Sequence, residues 1–187
     1  MAVSNKITVR DLSRIAIFAA IIAALSIPGA IPLGTGVPIT LQTLGVMLAG
    51  AVLGSTRGAL AVLVFEILAF AGLPILADHT GGVANFTTSP AAGFLIAWIP
   101  GAFVVGLIAN SRKGKPSILR TIFGSVLGGI VVIYAVGIPV MAQILGVDLV
   151  TATGYASVYL IGDSIKVALT TIIVAALYRA YPKAFKN

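Results

Sequence analysis

The stretch YASVYLIGDSIKVALTTIIVAALYRAY, residues 155–181, decides the fold. It is apolar almost throughout. At about 1.5 Å per residue, a helix of this length crosses a hydrocarbon layer roughly 30 Å thick with room to tilt. Two charged residues lie inside it, Asp163 and Lys166, and Arg179 stands near its end. The i,i+3 spacing of the first two puts both on one helix face, where they meet each other or a shared ligand. Near a bilayer centre such a residue costs roughly 2.5–3.5 kcal/mol, so the pair faces a bundle interior and marks a site or pathway. The plainer alternative is a structural ion pair tying this helix to its neighbours.

The rest of the chain agrees with a membrane setting. Of its 187 residues 59% are hydrophobic and 9% charged, and mean hydropathy is +1.11. A soluble domain of this size carries about 25% charge. The fold class is therefore an all-α integral membrane protein, a single membrane domain of six transmembrane helices. The expected spans are 13–27, 40–54, 57–72, 90–109, 117–145 and 155–181. Lys6, Arg10 and Arg14 before an apolar run resemble a signal peptide, but without a small-x-small cleavage site the run reads as a retained first helix. The absence of cysteine excludes disulfides, a thiolate nucleophile and cysteine metal ligands. The net charge of +7 lacks the aromatic-interleaved basic stripe that nucleic acid requires.

Ala16, Ala20 and Ala24 repeat every four residues in the first span, with Ala19 and Ala23 in a second row. Small residues at this spacing let another helix approach closely, either a partner's or one of the same bundle. Residues 28–38, PGAIPLGTGVP, are too rich in Pro and Gly to be helical and form an apolar connector suited to a lid. Thr40 is the expected cap of the second span, with Gln42 in its first turn. Glu66 falls inside the third span. The longest loop, GLPILADHTGGVANFTTS at 72–89, carries turn formers (Pro74, Gly81, Gly82), the amide of Asn85 and the hydroxyl of Ser89. Ser89-Pro90 reads as N-cap and first helical residue of the next span. His79 beside Asp78 is a lone histidine in a polar loop, and no metal is expected there. Gly128-Gly129 and Gly137-Ile138-Pro139 allow the long fifth span to bend.

Basic residues set the orientation. With both termini cytoplasmic, eleven of the twelve fall inside: Lys6, Arg10, Arg14, Arg57, Arg112, Lys113, Lys115, Arg120, Arg179, Lys183 and Lys186. The twelfth is Lys166. The 28–38 and 72–89 loops, Gln42 and Asp163 then lie toward the outer side, where they can converge on one pocket.

Enzyme chemistry is poorly served. Gly162-Asp163 is found in intramembrane aspartyl proteases, but these need a second intramembrane aspartate, and Glu66 is the only other acid in a span. The single histidine rules out a serine–histidine or clustered zinc site within the spans. No G-x-x-x-x-G-K-[ST] loop occurs, so ATP hydrolysis by that route would belong to another subunit.

The segments TLQTLGVMLAGAVLG (40–54), AGLPILA (71–77), TGG (80–82), SPAAGFLIAW (89–98) and GDSIK (162–166), in this order and spacing, resemble the biotin-specific S component, the BioY family, of energy-coupling factor (ECF) vitamin transporters. The resemblance covers about residues 10–180. It departs from the family pattern at Asp78-His79, which interrupt a glycine-rich run, and at Pro-Ala-Ala-Gly of 90–93. The resemblance implies a prokaryotic, multi-pass cell-membrane protein that binds biotin with high affinity and needs no cofactor. It would join a transmembrane T component and two ATPase subunits, with Ala16, Ala20 and Ala24 as docking ridge. Lys166 suits the biotin carboxylate. Asp163, Asn85, Gln42 and Ser89 suit the ureido ring, Tyr159 the thiolane wall, and Gly82 belongs to the substrate loop. The alternatives are a stand-alone secondary transporter for a small organic anion, an S component for another vitamin and, more distantly, an intramembrane protease.

Overall fold

Helices account for most of the computed structural model, which describes residues 8–110 and 115–185. Lys6, Arg112, Lys113 and Lys186 of the orientation argument lie outside that range. The helices are α1 (Val9–Ala24), α2 (Gln42–Leu53), α3 (Ser55–Phe70), the short α4 (Ala84–Thr87), α5 (Ala92–Ala109), α6 (Ile118–Leu145), α7 (Leu149–Ser157) and α8 (Tyr159–Ala180). Three of them, α5, α6 and α8, are long and apolar enough to cross a membrane. Among the described residues there is no β-strand, only an isolated bridge in which Ile31 and Ile39 exchange hydrogen bonds of 2.9 and 3.0 Å across the 28–38 connector.

Several helix ends differ from the sequence expectation, each for a local reason. α1 begins at Val9, earlier than 13, because Thr8 and Asp11 form a reciprocal capping box. Thr40 and Ser89 stand before the cap positions, which are Leu41 and Ala91: their hydroxyls accept from the N–H groups of Gln42 (3.3 Å) and Ala91 (3.2 Å), and α5 starts at Ala92. The 155–181 run is divided at Val158 between α7 and α8. Asp148 caps α7 by accepting from the Thr151 N–H at 2.9 Å, which holds its carboxyl below the usual carboxylate range. The 72–89 loop is more ordered than a structureless connector, with a 3₁₀ turn at Ala77–His79 and then α4.

α5 is the central helix, packed by α2, α3 and α6. Glycine lets these backbones touch. A Cβ on Gly50 of α2 would lie 2.4 Å from the Ala102 carbonyl oxygen of α5, and one on Gly106 of α5 would lie 2.4 Å from the Gly54 carbonyl carbon. In a membrane, where apolar burial against lipid gains little, such close van der Waals contact is the main source of helix association. α6 crosses α5 in the same manner. A Cβ on Gly128 would meet the Gly101 carbonyl oxygen at 2.5 Å, and one on Gly129 would meet Met47 Cε at 2.4 Å. Here α6 does not simply bend at its glycines. Residues Leu127–Val132 form a π-helical turn.

At the end of the bundle where α1 and α3 begin, buried Asp11 pairs with Arg57 at 2.9 Å. The Arg14 guanidinium donates to the Lys183 carbonyl at 2.8 Å, which joins α1 to the turn Pro182–Phe185. Along α1 the two alanine rows part: Ala19 is buried, whereas Ala16, Ala20 and Ala24 are exposed.

Candidate functional site

The opposite end of the bundle holds a cavity of two lobes. They share a wall of Val37, Pro38, Thr40, Phe94 and Trp98, so residues from the 28–38 connector, from the link between it and α2, and from α5 line both. The larger lobe, about 190 Å³, lies beneath the 72–89 loop and is lined further by Gln42, Leu76, Thr80, Asn85 and Ser89. The smaller, about 60 Å³, adds Thr43, Ile133, Tyr134, Tyr159, Asp163 and Lys166.

In the smaller lobe the i,i+3 pair meets as its spacing requires. Lys166 Nζ lies 2.9 Å from Asp163 Oδ1, and each residue is only 5% exposed. Two further residues complete the group. Lys166 Nζ also donates to Thr43 Oγ1 (2.7 Å), which donates onward to Asp163 Oδ1 at a long 3.4 Å. Tyr134 donates to Asp163 Oδ2 at 2.6 Å. The buried charges thus neutralise each other and are hydrogen-bonded, as burial of an ion pair demands. Phe94 packs edge-on against both Tyr134 (5.9 Å) and Tyr159 (6.1 Å), and the Tyr159 hydroxyl bonds Thr35 of the connector at 2.7 Å.

Counting bonds leaves this quartet with little to offer. An ammonium has three donors and Lys166 uses two; a carboxylate has about four acceptor positions and Asp163 uses three. One N–H donor and one acceptor remain, with no net charge.

The larger lobe is polar without being charged. Gln42 donates its amide N–H groups to the carbonyls of Ile22 (3.3 Å) and Ile75 (2.9 Å), so it pins α1 and the loop, and only its carbonyl oxygen is left for a ligand. Asn85 donates to the Gly81 carbonyl at 2.9 Å and keeps one N–H, while the Ser89 hydroxyl retains its hydrogen. Gly82 is not on the cavity wall. Its φ of +95° and its N–H bond to the Ala69 carbonyl (2.7 Å) give it a turn-forming part instead. Glu66 lies apart from both lobes, buried on α3 with Oε1 unbonded. Among the described residues, no cluster of His, Asp or Glu is placed to hold a metal.

Sequence reasoning missed Thr43, Tyr134, Phe94 and Trp98. The only signal was polar tips on otherwise apolar helices, Thr43 directly after Gln42 and Tyr134 just beyond the paired glycines.

A neutralised ion pair at the back of an apolar, loop-roofed cavity, within a helical membrane bundle, defines a small-molecule binding membrane protein. Comparison with known proteins narrows the class: the chain belongs to the BioY family, whose model matches residues 1–183. It is 45% identical to the biotin transporter BioY of Rhodobacter capsulatus, over 94% of this chain and 96% of that protein. It is 43% identical to the biotin transporter BioY of Rhizobium etli, over 92% and 95% of the two chains. Its fold matches the crystal structure of the S component for biotin from an ECF-type ABC transporter, with a TM-score of 0.85, 32% identity and 95% of each chain covered.

Proposed function

We propose that this chain is the biotin-binding and translocating membrane subunit of an ECF transporter. In this reading it has six spans, keeps both termini in the cytoplasm of a prokaryotic cell, captures biotin from outside, and is driven by a T component and two ATPase subunits. The observation that carries the reading is the two-lobed cavity with the Asp163–Lys166 quartet at one end and uncharged donors at the other. Biotin has the matching plan: a ureido ring with N–H groups flanking a carbonyl, an apolar thiolane and tail, and a carboxylate at the far end.

The bond count favours one orientation. Lys166 suits a carboxylate as a residue type, but its charge is already neutralised by Asp163. A ligand carboxylate there would face the buried Asp163 carboxylate, a like charge at close range. The ureido group fits better, with N–H to Asp163 and carbonyl from Lys166. The ligand carboxylate then takes the hydrogens of Asn85 and Ser89. Mass spectrometry of small molecules that copurify with the detergent-solubilised protein tests the ligand; recovery of a different vitamin, or of none after biotin is supplied, overturns it. Comparing biotin with biotin amide in a Lys166→Met variant tests the orientation. Equal losses support ureido at Lys166, and a loss confined to biotin reverses the ligand.

The exposed row Ala16, Ala20 and Ala24 supports α1 as the docking face for the T component, since it leaves a flat ridge unused by the bundle. Ala20→Trp is expected to abolish copurification with the T component while biotin binding by the isolated subunit persists. Loss of both would make the ridge internal packing.

A further inference from the structure

The π-helical turn Leu127–Val132 of α6 ends two residues before Tyr134. α6 and α8 lie together along Ile118–Val132 and make few backbone approaches beyond. Where they separate, the Tyr134–Asp163 hydrogen bond of 2.6 Å bridges the gap, and both residues line the smaller lobe. A π turn holds one more residue than an α turn, so each residue after it is displaced by about 100° from where an unbroken α-helix would carry it. Gly128 and Gly129 of that turn fit against Gly101 and Met47 with no room for a side chain, which fixes the α6 backbone before Ile133 and Tyr134 reach the cavity. The Tyr134 ring is in turn held edge-on by Phe94. The hydroxyl therefore arrives at Asp163 on a framework set on three sides.

We propose that Tyr134 is a positioning residue for ligand selection, aimed by the π turn Leu127–Val132. It occupies one acceptor position of Asp163 Oδ2, locks the carboxylate's rotation, and leaves a single acceptor position directed into the cavity. A carboxylate held in this way selects a ligand that presents an N–H at one place, and it penalises the same ligand when that hydrogen is replaced. This inference rests on the biotin reading above, with the ureido group at Asp163.

The test uses the full-length detergent-purified protein, wild type and Tyr134→Phe, titrated with biotin and with each of its two singly N-methylated ureido forms. A hydrogen bond to a charged group is worth about 10- to 100-fold in affinity. Wild type is expected to lose about 100-fold for the N-methyl form that blocks the Asp163 contact. Tyr134→Phe keeps the ring against Phe94, and it is expected to bind biotin about 10-fold more weakly while its N-methyl penalty shrinks to about 10-fold or less. A Tyr134→Phe protein that loses the same factor for all three ligands, or none, overturns the proposal, because a purely structural hydroxyl would not change the ratio. A ligand-free arm separates this failure from failure of the biotin reading. In the unfolding midpoints of Tyr134→Phe, Asp163→Asn and the double variant, the double is expected to be no worse than the worse single. Additive losses overturn the positioning role whatever the ligand. Non-additive losses in a wild-type protein that ignores biotin or N-methylation leave the Tyr134–Asp163 coupling standing and refute the ligand or its orientation instead.

Discussion

The two lobes of the cavity are built on opposite plans. In the smaller lobe the quartet of Thr43, Tyr134, Asp163 and Lys166 comes from helices, α2, α6 and α8, and its members are bonded to one another before any ligand arrives. In the larger lobe the polar groups Asn85 and Ser89 belong to the 72–89 loop and bond mainly to its own backbone, with only Gln42 held by a helix. The first plan stores recognition in rigid, long-range geometry, where one misplaced group leaves a buried charge exposed to apolar surroundings. The second uses local bonds that can open and re-form as the loop moves, at little cost. The helical lobe is suited to choosing the ligand and the loop lobe to holding it.

Substitutions in the helical lobe are therefore expected to cost far more. Replacing Gly128 by leucine sets a Cβ 2.5 Å from the Gly101 carbonyl oxygen, so the π turn and the α6 backbone that carries Tyr134 must shift. Ligand binding is expected to vanish in titration calorimetry while far-ultraviolet circular dichroism remains helical; retained affinity would mean that the turn is incidental. Next in size, Lys166→Met leaves Asp163 without its counter-charge, a loss of about 3–5 kcal/mol for a buried pair. Adding Asp163→Asn removes the orphaned charge, so the double variant is expected to regain its unfolding midpoint without regaining affinity. If affinity returns as well, the pair is only a strut between helices and the contrast between the lobes fails.

Losses in the loop lobe should be smaller. Asn85→Ala removes one hydrogen bond to the ligand carboxylate, about 1.5–3 kcal/mol or roughly 10- to 100-fold in Kd. A loss of the same size as that of Lys166→Met would show that this lobe is as rigid as the other. The smallest effect is kinetic. Exposed Thr87, replaced by cysteine, is expected to label a few-fold more slowly with saturating biotin as the loop settles over it. Unchanged labelling would remove the moving roof from the picture.

What the sequence made legible follows the same division. Asp163 and Lys166 could be read because their partnership is local, three residues apart on one helix, and because charge in an apolar run is conspicuous. Thr43 and Tyr134 could not, since their partners lie 120 and 29 residues away and a hydroxyl on an apolar helix is unremarkable by itself. The break at Val158 was hidden for a different reason: hydrophobicity continues across it, and only Asp148 capping a separate α7 reveals it. Gly128-Gly129 foretold a bend, but the period of a sequence does not distinguish a bent α-helix from a π turn. Gln42 was found as a residue, but the sequence did not reveal that its amide donors are taken by the carbonyls of Ile22 and Ile75, distant in the chain.

Trp98 is the chain's single tryptophan, and it stands in the wall common to both lobes, stacked on Phe65 with ring centroids 6.1 Å apart. The chain's one indole, which can be excited apart from its five tyrosines, thus stands at the junction of the binding site. Its emission reports polarity and quenching at that junction alone, so cavity filling can be followed on the unmodified protein. Because the helical and loop lobes border the same indole, a stopped-flow trace with two phases would time their engagement separately.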